Sequence, residues 1–208
     1  MWSEQVRRLL RYEKSATRIS QFEPMVVPGL LQTPDYAEAV LSLYADPGDA
    51  PETVARRVQA RIARQVILNG DDAPAMVFIV DESAIRRRIG AESGQGPEVL
   101  RRQLAHLKQL SARTRVSLRL LPLAAGAQPG LRGPFVIMEF AEPALGDLLY
   151  LEDAKGDYFG GAHSADLSSY RRWFEELETM AASEAESAVM LDAALAELGE
   201  GGATATAA

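Results

Sequence analysis

The stretch AMVFIVDES, residues 75–83, decides the fold class. Six apolar residues in a row, four of them β-branched or aromatic, stop abruptly at Asp81-Glu82-Ser83. The run is too short for a buried helix and does not alternate. It therefore reads as a strand covered on both faces, which requires a sheet with helices around it. Working outward, RVSLRLLPL (115–123) alternates apolar with polar and reads as a half-buried strand. PFVIMEF (134–140) and LLYLED (148–153) read as two more strands, and GDYFGG (156–161) as a possible short edge strand.

Helical patterns lie on either side of these runs. Residues 3–18 carry Val6, Leu9, Leu10 and Tyr12 among Arg7, Arg8, Arg11 and Lys14. Tyr36, Val40 and Tyr44 stack at four-residue spacing over 35–44. Pro51 opens a helix with a Val54, Val58, Ile62, Val66 stripe, and Asn69-Gly70 ends it. Pro97 opens another, with Leu100, Leu104, Leu107 and Leu110 inward. Near the end, Leu167, Tyr170, Phe174, Leu177 and Met180 share a seam. Ser183 and Glu186 then form a capping box for a helix that stops at Gly199. The expected fold is mixed α/β (α+β). A small sheet of four to five strands is packed with helices, and the N- and C-terminal helices flank it. The expected division is a helix over 1–20, a single domain over 21–199 and a flexible tail over 200–208.

Composition narrows the function classes. The 208 residues include no cysteine, which excludes disulfides, thiolate nucleophiles and cysteine-ligated zinc. No signal peptide or run of ~18 apolar residues is present, so a cytoplasmic protein without membrane contact is expected. Residues 1–139 hold 19 basic and 15 acidic groups, whereas residues 140–208 hold 3 and 14. An acidic C-terminal third repels phosphate backbones, so direct nucleic-acid binding is not expected. It reads instead as a solvated face or a surface for a basic partner.

No complete catalytic motif is present. Glycine clusters lack the lysine and helix start of a phosphate loop, and no nucleophile elbow occurs. The two histidines, His106 and His163, lack metal-ligand spacing and read as surface or capping residues; no metal or cofactor is expected. The most suggestive charged cluster is DESAIRRR (81–88). Glu82, Arg86 and Arg87 there follow a strand end, where ligand-binding groups collect in α/β folds. An arginine fork would grip a carboxylate or phosphate, and a local ion-pair net is the alternative. Glu139, Glu152 and Asp153 offer paired carboxylates if strand order brings them to Glu82. Tyr36 and Tyr150 would line an apolar pocket with Glu82.

VVPGLLQTPDY (26–36) is too apolar for a surface loop and too broken by proline and glycine for a helix. It reads as a buried lead-in to a helix, with Thr33 as N-cap and Pro34 in the first turn. Gln32 and Tyr36 are its candidate pocket wall.

Five segments together resemble a known family: FEPMVVPGLLQTPDYAEAVL (22–41), RRVQARIARQVIL (56–68), VDESAIRRRIG (80–90), VSLRLLPLAAGAQPGLRGPFVIMEF (116–140) and LLYLED (148–153). The chain resembles, over about residues 10–198, the uncharacterised actinobacterial domain that follows an Xre-type helix-turn-helix in antitoxin-like transcriptional regulators. Residues 27–36 are the most specific part of the match. The resemblance implies a regulatory domain that binds a small-molecule ligand or a small protein partner, and transfers no catalytic residues; a homodimer is one arrangement expected for such a chain. Only about 20 residues precede Phe22, too few for a three-helix DNA reader. A stand-alone copy suggests, as an alternative, an enzyme recruited into natural-product metabolism. Gln128 stands where relatives often carry histidine.

Overall fold

A computed structural model describes residues 4–45, 48, 50–70, 72–90, 94–142, 146–152, 158–161 and 165–204. The chain runs α1 (Glu4–Ser15), β1 (Ala16–Glu23), α2 (Pro34–Leu43), α3 (Pro51–Arg64), β2 (Ala75–Asp81), α4 (Glu82–Arg86), α5 (Gly96–Ser111), β3 (Val116–Leu121), β4 (Phe135–Phe140), β5 (Leu148–Leu151), β6 (Tyr158–Gly160), α6 (Ala165–Met180) and α7 (Glu184–Thr204).

The strands form one mixed sheet in the order β3-β2-β1-β4-β5-β6. β1, β2 and β3 are parallel, while β4, β5 and β6 continue antiparallel from the other side of β1. Among the described residues the sheet therefore has six strands, one or two more than the sequence suggests. The additional strand is β1, at the centre, where the helix expected over residues 3–18 has already ended at Ser15. In ATRISQFE the apolar residues Ala16, Ile19 and Phe22 fall three apart, a helical spacing. Ser20 and Gln21 hide the alternation, yet both are buried because β1 is paired on both edges.

Strand alternation divides the core in two. Ile19, Met76, Phe78, Val80, Leu118, Val136 and Tyr150 share a face with side chains from α1, α2, α4, α5 and α7. Phe22, Ile79, Leu121, Phe135, Ile137 and Leu149 face Leu167, Phe174 and Leu177 of α6. The predicted leucines of α5 are all buried. So are Leu30 and Leu31 of the lead-in loop, which turns through a 3-10 helix at Gly29–Leu31.

Helix starts follow the expected chemistry. The Thr33 hydroxyl accepts from Tyr36 N (3.4 Å), with Pro34 in the first turn. Ser183 N–H and hydroxyl both donate to Glu186 (2.8 and 2.7 Å), and Glu186 N–H donates back to Ser183 Oγ (3.3 Å). Two details differ. α7 continues past Gly199 to Thr204, because glycine weakens a helix by about 1 kcal/mol without forbidding it. Val66 is 68% exposed, since α3 gives way at Gln65 to a 3-10 turn that rotates it off the stripe. Val189 is equally exposed on the solvent side of α7.

The sheet's outer edge at β3 is covered. Ala182 N–H donates to Leu120 O (2.9 Å), and Leu120 N–H to Ser187 Oγ (2.8 Å). Arg119 donates to the carbonyls of Ala181 and Ala182 (2.8 and 2.9 Å). At the sheet's carboxyl end, the loop from β3 to β4 passes so close to β1 that a Cβ on Gly130 would lie 2.1 Å from the Phe22 ring. Only glycine fits there.

Candidate functional site

The strand order changes direction at β1, with its parallel partners on one side and its antiparallel ones on the other. In open α/β sheets, ligands bind at such a point outside the carboxyl ends of the strands. β1 ends there in Glu23. Gln21, Val136 and Tyr150 lie side by side across β1, β4 and β5. Glu23 and Glu152, each two residues further on, therefore flank the start of β4 on the same face.

Glu23 is the most perturbed group at this end. Its carboxyl is pushed up to about 8, chiefly by burial. The charge of Glu152 adds to the effect, while the Gln21 hydrogen bond and the charge of Arg61 oppose it. Gln21 Nε2 donates to Glu23 Oε1 at 3.0 Å. Glu23 itself is half-buried and Glu152 exposed.

The wall opposite comes from α3 and the lead-in loop. Arg61 Nη1 donates to Gln32 Oε1 at 3.0 Å, and burial lowers the pKa of Arg61. Gln32 Nε2 in turn donates to Val27 O at 2.7 Å. Tyr36 is fully buried, and its hydroxyl accepts from Val27 N–H at 3.3 Å. Burial above all, with the charge of Glu23, pushes this phenol up to about 12. One turn after Arg61, Arg64 makes a two-point ion pair with Glu13 of α1 (3.1 and 2.5 Å). Burial opposes the charge on Arg64, but Glu13 outweighs it and raises the pKa. Tyr150 is buried against Phe159, ring centres 5.0 Å apart, within reach of both arginine charges.

Glutamines explain how an apolar loop can be buried at all, since each buried backbone group needs a partner. Gln103 of α5 donates to Leu31 O (2.7 Å) and accepts from Thr33 N–H (2.7 Å). Gln65 donates to Gln32 O (2.6 Å). The loop is thus a rigid wall that holds Arg61 toward Glu23.

Of the six residues singled out from the sequence, Gln32, Tyr36 and Tyr150 belong to this cluster. Arg87 is exposed, though its charge reaches Tyr36. Glu82 and Arg86 form a separate net: Arg86 pairs with Glu82 (2.7 Å) and with Glu197 of α7 (2.6 Å). Burial tends to raise the Glu82 pKa, but Leu123 N–H (2.9 Å) and Arg86 prevail and lower it. The expected carboxylate group does not assemble. Glu139 pairs with Arg171 of α6 (3.1 Å), Glu82 sits at the end of β2, and Asp153 lies outside the described residues. Glu152 meets Glu23 instead. His163 also lies outside the described residues. His106 is half-buried on α5, its pKa lowered by burial and then by the charge of Arg113.

Sequence reasoning missed Glu23, Arg61, Glu13, Arg64 and Gln103. The signal for Glu23 was a lone acid between Phe22 and Pro24, legible only once β1 is known to be a strand.

A domain family described only as a domain of unknown function, DUF5753, matches residues 6–193. The chain belongs to this family. The DUF5753 match begins within α1 and ends within α7, so it includes every strand and the whole cluster around Glu23. No curated protein and no solved structure matches the chain. Among the described residues, no three His, Asp or Glu side chains gather to hold a metal ion. No helix among them is long and apolar enough to cross a membrane.

Two open clefts, of about 650 and 470 Å³, lie at the opposite end of the sheet, around the turn between α5 and β3. Size alone would favour them. The Glu23 cluster carries the perturbed acid, and a carboxyl that resists ionisation at a strand end is the better mark of chemistry.

Proposed function

We propose that this DUF5753 chain is a regulatory domain that binds a small-molecule ligand at the carboxyl end of β1, and that it serves a transcriptional regulator of the actinobacterial Xre-associated kind. The second clause rests on the sequence resemblance. The observation that carries the ligand site is Glu23. A carboxyl held up to about 8 at the centre of the sheet opposes stability at neutral pH, which makes sense where a ligand is its partner. Arg61 and Glu152 beside it supply one charge of each sign, so the ligand is a small polar molecule. A small protein partner would meet the same mouth with a protruding side chain.

A specific observation also favours an enzyme. A carboxyl near 8 is poised to give or take a proton at neutral pH, with Tyr36 next to it. In that reading Glu23 is the acid/base and the cofactor-free reaction is a proton transfer on a small organic substrate.

One experiment separates these. Small molecules retained from a cell extract by the immobilised protein are tested by thermal shift on wild type and Glu23→Gln, and re-analysed by mass spectrometry after incubation. A compound that stabilises wild type, loses its effect with Glu23→Gln and survives unchanged supports the binding domain. Conversion by wild type alone supports the enzyme. Retained compounds that stabilise both proteins equally, or no retained compound at all, sink the Glu23 site.

A further inference from the structure

The two clefts at the amino end of β2 and β3 share Arg113, Thr114 and Arg115, so they form one depression wrapped around a single turn. We propose that this depression is a second binding site, for a small organic anion bearing a carboxylate or phosphate group, with Arg115 as its main contact. It is separate from the Glu23 mouth, which lies at the carboxyl ends of the same strands.

Three observations support it. First, the Arg115 side chain is exposed on the turn and makes no hydrogen bond or ion pair with any described residue, although its carbonyl accepts from Met76 N–H (2.8 Å). Its guanidinium is an available fork for an oxyanion. Second, positive charge accumulates at the turn. Arg113 Nη1 is anchored by Leu68 O (3.1 Å) and Asn69 Oδ1 (2.8 Å), two neutral acceptors that leave its charge unbalanced. That charge is felt at His106, seven residues back on α5, where it adds to burial in disfavouring protonation. Third, the volume suits a ligand with a body. About 650 Å³ lies within the range of small-molecule sites, and Met76, Val77 and Val116 give the floor an apolar part. The acid on the wall, Glu184, accepts from Ser117 Oγ at 2.5 Å and defines the side the anion avoids.

The site is tested with phenyl phosphate and benzoate, titrated separately at constant ionic strength and followed by amide and histidine NMR. Saturable shifts confined to residues 69–73 and 111–117 are expected for at least one probe, and which probe binds names the anion class. At saturation the His106 pKa should rise, because the bound anion cancels the field of Arg113. Arg115→Ala should weaken binding at least ~10-fold, the worth of a charge-assisted contact, and Arg115→Lys should recover part of the loss. Glu23→Gln should leave affinity unchanged, so this site stands or falls independently of the first. Failure of both probes to give saturable shifts, equal affinity of Arg115→Ala and wild type, or an unmoved His106 overturns the proposal.

Discussion

Two acid–arginine clusters flank this sheet, built from the same residue types and behaving oppositely. In one, Arg86 joins Glu82 and Glu197 with all three groups in contact with water, and the pairing favours the charged forms of Arg86 and Glu82. In the other, Arg64 clamps a Glu13 that is 2% exposed, and Arg61 faces a Glu23 whose carboxyl resists ionisation. The sequence advertised the first, because DESAIRRR is a visible run. The second is scattered over residues 13, 23, 61, 64 and 152 and exists only in three dimensions. Solvent, which lowers the value of an exposed pair and magnifies that of a buried one, makes the difference.

Removing one partner from each cluster breaks the comparison most directly. Glu13→Ala strands Arg64 without its carboxylate and should destabilise by about 3–5 kcal/mol in urea unfolding. An effect under 1 kcal/mol would mean that water reaches Arg64 and the two clusters are equivalent. Gln103→Ala leaves Leu31 O and Thr33 N–H without partners and should cost about 1–3 kcal/mol by the same measurement. No change would show that the loop does not need its braces to hold Arg61.

Glu23 sharpens the contrast through pH. Its folded pKa, about 8, lies above its ordinary 4.5, so the folded chain keeps a proton that the unfolded chain loses. The stability from that proton is complete below about 4.5 and is lost as pH rises through 8. Wild type should thus weaken across this window by roughly 1–3 kcal/mol after allowance for solvent screening. Glu23→Gln should flatten the curve and be the more stable protein at pH 8.5. Parallel curves for the two would remove the case for a strained acid. The smallest effect belongs to the exposed net: Arg86→Ala should change stability by less than about 1 kcal/mol. A larger loss would mean that the α4–α7 contact is worth more than surface pairs usually are.

Much of the fold was readable wherever one local rule was sufficient. Thr33-Pro34 announced a helix start, Ser183 and Glu186 a capping box, and the leucines of α5 a buried stripe, because each depends on residues a few positions apart. β1 was unreadable for the opposite reason. Its burial comes from β2 and β4, which are remote in sequence, so Ser20 and Gln21 can occupy a central strand with no alternating pattern to reveal it. The candidate site followed suit. Gln32, Tyr36 and Tyr150 were visible as oddly placed polar and aromatic residues, whereas Glu23 became a candidate only when β1 became a strand.

The sequence by itself determined the helix caps, four of the six strands, with GDYFGG as a candidate fifth, the inward leucines and the buried character of VVPGLLQTPDY. These depend on backbone geometry and side-chain spacing within one element. The tertiary structure alone decided which strand is central, which carboxylate is hard to ionise and which arginine lines the cleft at the amino end of the sheet. Those properties depend on what covers a group and on the charges around it, and both come from parts of the chain tens of residues away.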